Sequence, residues 1–268
     1  MTNTQNIFQL LKANIKILLA TLIGSAIVAF AASSFIPKKY KSTAVVFPAN
    51  ISQSSEESPT EQLLQFFLSE DIKWQIAKDF KLYENYDIDS TSMEGAKNLF
   101  NYAWSENISI SPTLYESIEI NVKDKDPKLA QKIAKAIIEK TNIMVRNSKR
   151  KIVQQYYSNS QKVINIQKRE IDSLEKMMAQ LALSKDENKD GKKILRDKIK
   201  ATLKAYEKIK VINDTYLLDV DNNNDYVSTV SSPSLADKHC YPIKSIVVAI
   251  SALFSTLFAA LLIIIFKK

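Results

Sequence analysis

Ile17 to Ile36 reads ILLATLIGSAIVAFAASSFI and Ser245 to Phe266 reads SIVVAISALFSTLFAALLIIIF, and neither run holds a charged side chain. About twenty helical residues rise roughly 30 Å, one hydrocarbon thickness, so each run predicts a transmembrane helix. The first run has a rival reading as a secretory signal, because Ala29-Phe30-Ala31 has A-x-A form and Lys12 and Lys16 supply a basic region before it. The uncharged stretch continues past that point to Ile36, and the length rule selects an uncleaved span. Lys267 and Lys268 follow the second run at headgroup level, where long cationic stems can snorkel. The expectation is spans at 17–36 and 245–266, with tails 1–16 and 267–268 on one side of a membrane.

Between the spans the surface is nearly charge-balanced. The 268-residue chain has 37 Lys plus Arg and 29 Asp plus Glu, and all 29 acids with 32 of the basic residues lie between Pro37 and Pro242. The other five lysines, Lys12, Lys16, Lys244, Lys267 and Lys268, flank the apolar runs. A nucleic-acid reader concentrates basic charge on one face of a folded domain, so no nucleic acid is expected. Both tails carry lysine and no acid, which by the positive-inside rule predicts cytoplasmic tails and an extracytoplasmic middle.

Composition also narrows the chemistry. Gly24, Gly95 and Gly191 are too far apart to form a phosphate-cradling loop. His239 and Cys240 are the single histidine and the single cysteine. They offer no identifiable partners for a metal site, a catalytic triad or an internal disulfide, and they read as an interfacial pair. Carboxylate pairs such as Glu56-Glu57 sit in a polar loop rather than as a buried acid/base couple. No catalytic constellation is found, and the expectation is a non-enzyme without cofactor or metal.

The middle reads as a membrane-proximal α+β base, 37–125, followed by a long helical hairpin, 126–220, and a return segment, 221–244. After Pro37, the run KKYKSTAVVFPAN predicts a strand through Tyr40, Ser42 or Thr43, Val45 and Phe47, ended by Pro48. Asn50 to Pro59 reads as a loop. One helix is predicted from Thr60-Glu61 through Phe80, with Leu63, Phe66, Phe67, Ile72, Ile76 and Phe80 on its apolar side. A second helix, to about Trp104, starts at the capping-box pattern Thr91-x-x-Glu94. NISISP and LYESIEINVKD alternate with period two, predicting a strand pair with Ile118, Ile120 and Val122 on one face.

Asp126-Pro127 then reads as an N-cap followed by the first helical position. From Pro127 to about Ser184 no glycine and no further proline intervenes, and Ile164, Ile171, Leu174, Met178 and Leu181 take a/d-like places. KDENKDGKK, Lys185 to Lys193, predicts a polar turn with Gly191 as a left-handed cap, and a returning helix follows from about Lys193 to Leu218. Its predicted stripe is Leu195, Ile199, Leu203 or Tyr206, Ile209, Ile212 and Tyr216. DNNND at 221–225 breaks the helix, and Tyr226 to Val230 alternates like a return strand.

Four features resemble the polysaccharide chain-length determinants of bacterial inner membranes, the Wzz-type polysaccharide co-polymerases. They are the first span with Pro37, Tyr40, Ser42, Ala44 and Pro48 after it, and the strand followed by Asp126, Pro127, Ala130 and Ala134. The long coiled hairpin is the third, and the fourth is Pro233, Ala236, Tyr241, Pro242 and Lys244 just before the second span. The order and spacing of these features between two terminal spans carry the likeness. It implies an α+β base near the membrane, a long helix in the periplasm, rings of identical subunits, and regulation of glycan chain length beside a polymerase that handles lipid-linked glycan.

The resemblance also sets expectations for departures and rivals. A tyrosine-kinase domain, carried by some relatives, is expected to be absent. The second span lacks glycine, and Ala249, Ser251, Ala252, Ser255, Ala259 and Ala260 are expected to supply close packing instead. Arg146 with Lys149-Arg150-Lys151 reads either as a solvated face or as cations lining a ring and touching anionic glycan. Pro233 and Pro242 read as shaping the chain's return to the bilayer, or as contacting a polymerase span. Chain-length regulation competes with a role in a capsule or exopolysaccharide export complex and, third, with a two-span receptor.

Overall fold

A computed structural model describes residues 9–51, 57–89, 93–183, 189–220 and 224–266, in which regular elements follow a short helical stretch at 9–13. They are α1 (Ile15–Ser33), β1 (Lys39–Pro48), α2 (Pro59–Phe67), α3 (Glu70–Asp79), α4 (Leu82–Asn85), α5 (Met93–Asn107), β2 (Ile108–Pro112) and β3 (Ile118–Asp124). After them come α6 (Pro127–Leu183), α7 (Lys189–Val220), β4 (Val227–Ser231), β5 (His239–Tyr241) and α8 (Lys244–Phe266). The chain divides into one unit of Met1–Phe47, Leu68–Ile137 and Thr229–Lys268, and another of Pro48–Phe67 and Ile138–Ser228.

In the first unit, α1 and α8 are long and apolar enough to cross a membrane, and they pack on each other. Apart from Leu18, the half-buried and buried positions of α1 are small or polar: Thr21, Ser25, Ala26, Ala29 and Ser33. Those of α8 include Ser251, Ala252, Ser255, Thr256, Ala259 and Ala260. Small side chains let two helices approach closely where lipid supplies no hydrophobic drive. Ala249, expected in this contact, is exposed, and a Cβ on Gly24 would meet no atom within 4 Å, so both lie off the seam. The helix α1 stops at Ser33 rather than Ile36. Ser33 and Ser34 donate to the Phe30 carbonyl at 2.8 and 3.2 Å, and Ile36, standing before Pro37, disfavours helical backbone.

The sheet has order β2-β3-β1-β4, and β5 pairs with β1 at its start. Antiparallel register sets Ser42 opposite Val122, Ala44 opposite Ile120 and Val46 opposite Ile118, and all six are fully buried. The predicted face of β3 is therefore the core face. On β1, expected as a strand and found as one, the small residues Ser42 and Ala44 and then Val46 point inward, while Phe47 is exposed and Val45 half-buried. Period-two alternation leaves the choice of face to the partner strand, and here the buried face of β3 takes the smaller set.

Helices α3 to α5 complete this core around Phe100. Its ring lies 5.2 Å from Trp74, 4.6 Å from Tyr83, 6.5 Å from Tyr86 and 6.1 Å from Trp104, centroid to centroid. The single helix expected over Thr60–Phe80 is two helices. Ser69 adopts extended backbone, caps α3 by accepting from the Ile72 N–H at 3.4 Å, and is followed by Glu70 and Asp71 in a first turn that favours acid. Helix α6 starts at Pro127 as expected. The Asp126 carboxylate accepts from the Lys128 N–H at 2.9 Å, and Asp124 in turn accepts from the Asp126 N–H at 2.9 Å. Ala130 and Ala134 are fully buried along with Ile133 and Ile137.

In the second unit, α2 opens on a reciprocal capping box: Ser58 Oγ accepts from the Glu61 N–H at 3.2 Å, and Glu61 accepts from the Ser58 N–H at 2.8 Å. The capping pattern expected at Thr91 lies outside the described residues. Helix α6 is 57 residues long, roughly 86 Å at the standard rise. Its partner α7 begins at Lys189, earlier than expected, with Asp190 in the first turn. Gly191 is therefore helical rather than a left-handed cap, and no glycine has positive φ among the described residues. The rest of the predicted turn, 185–188, lies outside them.

Candidate functional site

The paired helices α6 and α7 form the most extended candidate surface. Successive contacts run in opposite directions along them: Tyr156 stacks on Tyr216 at 5.7 Å, Ser160 meets Asn213, and Glu170 pairs with Lys198 at 3.7 Å. This is an antiparallel helical hairpin. On α6 the inward positions Val153, Tyr157, Ser160, Ile164, Gln167, Ile171, Leu174, Met178 and Leu181 alternate steps of four and three, a heptad seam. The a/d places read from sequence lie on it.

On α7 the seam runs through Leu195, Ile199, Thr202, Tyr206, Ile209, Asn213 and Tyr216. Leu203 and Ile212, candidates in the sequence reading, are exposed. Apolar choice misled there because two seam places are polar. Ser160 Oγ and Asn213 Oδ1 satisfy each other at 2.8 Å in a buried layer, and Ser160 also donates toward the Tyr157 carbonyl at 2.8 Å. A buried polar layer in a helix seam fixes register at some cost in stability. Beside the seam, Ile152, Tyr156, Val163 and Ile166 remain exposed in this single chain.

The basic run divides. Arg146 is a bracing residue inside its own unit: Nη2 pairs with Asp225 Oδ1 at 2.7 Å and Nε donates to the Asn224 carbonyl at 3.3 Å. One turn earlier, Asn142 donates to Asp225 at 2.7 Å and accepts from the Tyr226 and Val227 N–H groups at 2.8 and 3.3 Å. Asn50, in left-handed backbone, joins this corner by donating to the Asp225 carbonyl at 2.9 Å. Together these groups hold the chain as it leaves α7 and enters β4. Lys149 is half-buried, Arg150 and Lys151 are exposed, and no carboxylate pairs with these three among the described residues.

At the end of the first unit where the apolar helices begin, the proline-containing segment is tied to the base. Thr43 and Ser234 exchange two hydrogen bonds at 3.0 and 3.1 Å, and Gln131 donates to the Pro233 carbonyl at 2.9 Å. Ala236 is half-buried and Pro242 buried, while Pro37 is exposed, Tyr40 half-buried and Pro48 buried. Lys244 caps the packed pair: its ammonium lies 5.1 Å above the Phe30 ring and donates to Ser34 Oγ at 3.2 Å. Cys240 Sγ contacts the Lys39 carbonyl at 3.4 Å and His239 is exposed in β5. No group of three His, Cys, Asp or Glu side chains close enough to hold a metal occurs among the described residues.

The remaining concave features differ in character. A cleft of about 430 Å³ between the hairpin helices is lined by Met177, Leu181, Gly191, Ile194 and Leu195 with polar flanks. In the first unit, Lys39, Asn85, Tyr86, Glu106, Asn107, Asp124 and Lys125 line a polar cavity of about 150 Å³. Sequence reading missed this second group. Its members come from four separate stretches, and each alone is an ordinary surface residue type.

Residues 3–95, about a third of the chain, match the family model Wzz, described as chain length determinant protein. This is the family whose likeness the sequence carries, and the match is confined to the first third of the chain. Among solved structures, a full-length bacterial polysaccharide co-polymerase aligns at 13% identity over 96% of this chain and 95% of that one, with a TM-score of 0.40. A fragment of WzzB, the polysaccharide co-polymerase from Salmonella Typhimurium, aligns at 13% identity over 76% of this chain and all of that one, with a TM-score of 0.34. Wild-type WzzBSF, the lipopolysaccharide O-antigen chain-length regulator of Shigella flexneri, aligns at 12% identity over 74% of this chain and 99% of that one, with a TM-score of 0.27. No curated protein matches.

Proposed function

We propose that this chain, whose N-terminal third belongs to the chain length determinant family, is a non-catalytic, homo-oligomeric regulator of surface-polysaccharide chain length. It acts in a bacterial inner membrane beside a polymerase that extends lipid-linked glycan. The match over residues 3–95 carries the reading. Two apolar terminal helices packed on one another, an α+β base and a 57-residue helix folded back on a second one are consistent with it.

In this reading α1 and α8 anchor the chain in the lipid, both tails are cytoplasmic and the units between them are periplasmic. The lysines of the tails, set against a nearly balanced middle, support that orientation. Copies associate along the hairpin, where Ile152, Tyr156, Val163 and Ile166 leave an apolar stripe uncovered in one chain. A wall of repeated hairpins beside the polymerase would change how long a growing glycan stays engaged, so that subunit geometry, rather than a reaction, sets the modal length. Arg150 and Lys151, free of internal pairs among the described residues, are the cations left to meet an anionic glycan.

The test is a glycan ladder from a strain lacking the gene. Regulation predicts a broadened length distribution with sugar synthesis intact, restored by the wild-type gene. An unchanged ladder contradicts the proposal. Loss of surface display with polymer retained in the cell would assign the chain to export instead.

A further inference from the structure

The polar cavity of the first unit is graded from floor to mouth. Asp124 and Asn107 are buried at the floor, 3% and 6% exposed, while the Glu106 and Lys125 side chains are about half exposed at its edge. Most of the lining is already internally bonded. Lys39 donates to Asn107 Oδ1 at 2.7 Å and to Glu106 at 3.2 Å, Asn85 donates to Asp124 Oδ2 at 2.7 Å, and Lys125 pairs with Asp87 at 3.0 Å. These bonds fix the side chains without external help, which is preorganisation.

One group is left over. The Tyr86 hydroxyl is buried and has no hydrogen-bond partner among the described residues, although its ring is held in the Phe100 stack. Burial, then the nearby Asp124 carboxylate, raises the phenol's pKa well above its ordinary value, so it is a donor at any physiological pH. A buried donor without a partner costs about 1–3 kcal/mol. Asp124, after accepting from Asn85 and from the Asp126 N–H, still has lone pairs to offer.

The geometry points to a binding site for one neutral sugar unit, with a ligand hydroxyl seated between the Tyr86 hydroxyl and the Asp124 carboxylate. A hydroxyl can accept from the phenol and donate to the carboxylate at the same time. A phosphate would set negative charge against the Asp124 carboxylate, and an ammonium has no lone pair to take the Tyr86 proton. Charge agrees with this choice: Lys39 and Lys125 face Glu106 and Asp124, so the lining has no net sign to favour an ion. The volume equals roughly five waters at about 30 Å³ each, the scale of one pyranose ring rather than an oligosaccharide. The inference rests on the cavity alone and does not require that the chain set glycan length.

Glucose, galactose, mannose and the N-acetylated forms of the first two are titrated calorimetrically into the full chain in detergent, beside Tyr86→Phe and with inorganic phosphate as the anionic probe. The variant removes one unpartnered hydroxyl and keeps the ring in its stack; a thermal midpoint at or above that of the wild type verifies its fold. At least one sugar should bind with a dissociation constant on the order of millimolar, weakened about tenfold in Tyr86→Phe, and phosphate should neither bind nor compete. Methyl glycosides that bind as well as the free sugars identify an in-chain unit as the natural source; loss on methylation identifies a free sugar or a chain end. No binding by any sugar up to about 100 mM, equal binding by Tyr86→Phe, or displacement by phosphate would overturn the site. A working sugar site with an unchanged glycan ladder would leave this inference standing while the chain-length reading fell.

Discussion

Asn142→Ala should loosen the strand that follows the hairpin, by an amount the geometry bounds. Asn142 makes three contacts: it accepts from Tyr226 N–H at 2.8 Å and from Val227 N–H at 3.3 Å, and it donates to Asp225 at 2.7 Å. The first is worth about 1 kcal/mol net and the longer second about half of that. The third ends on a carboxylate that is 71% exposed, so screening holds it to about 0.5 kcal/mol. The sum, about 2 kcal/mol, corresponds to a roughly thirtyfold larger opening constant. Hydrogen exchange on the full chain in detergent reads this at the amides of Tyr226 and Val227, and Arg146→Ala should speed the same amides less, by about 1 kcal/mol. If Arg146 braces this corner rather than touching glycan, Asn142→Ala and Arg146→Ala should shift the glycan ladder in the same direction. Unchanged exchange at these two amides in Asn142→Ala would refute the reasoning.

Other substitutions report on the remaining elements. Asn213→Ala should lower thermal stability by about 1 kcal/mol, whereas Ser160→Ala with Asn213→Leu should be near neutral, because replacing both buried partners leaves no orphan; a thermal melt of single and double variants gives the comparison. Asp126→Ala removes the acceptor for the Lys128 N–H and should cost about 1 kcal/mol by the same melt. The raised Tyr86 pKa means the unfolded chain deprotonates there first, so its contribution is full below about pH 10 and falls by about 1.4 kcal/mol per pH unit above it. Tyr86→Phe should therefore flatten the alkaline limb of a stability-versus-pH curve, from a neutral plateau at or above that of the wild type. Ile166→Asp should lower the mass of the native assembly on a light-scattering column while leaving helix content by circular dichroism intact.

The elements carried by a strong local pattern were legible in the sequence. The Asp126-Pro127 start, the period-two run Ile118-Ile120-Val122 and the glycine-free length of α6 each predict one element, and the structure has it; the two uncharged runs are the apolar helices α1 and α8. What stayed hidden depended on partners distant in the chain. The break at Ser69 is written locally, as a capping serine before two acids, yet the apolar spacing of Leu63, Phe67, Ile72 and Ile76 runs straight across it. Phe47 looks like core until β3 dictates which face of β1 is buried. On α7, Ile212 outranks its neighbour Asn213 by hydropathy, and only Ser160 on the other helix reverses the choice. Arg146 reads as one of four cations, and its role appears only when Asp225 folds back beside it. The Tyr86 cavity is the extreme case, since its chemistry lies in juxtaposition and not in any motif.

The account depends on one arrangement, two membrane crossings with the α+β unit and the hairpin outside the cytoplasm. Leu114, in the turn between β2 and β3, is 98% exposed and suits a reporter. In the cysteine-free background Cys240→Ser, Leu114→Cys should react with a membrane-impermeant maleimide in intact spheroplasts, to the same extent as after permeabilisation. Reaction only after permeabilisation would place that turn in the cytoplasm and contradict the account.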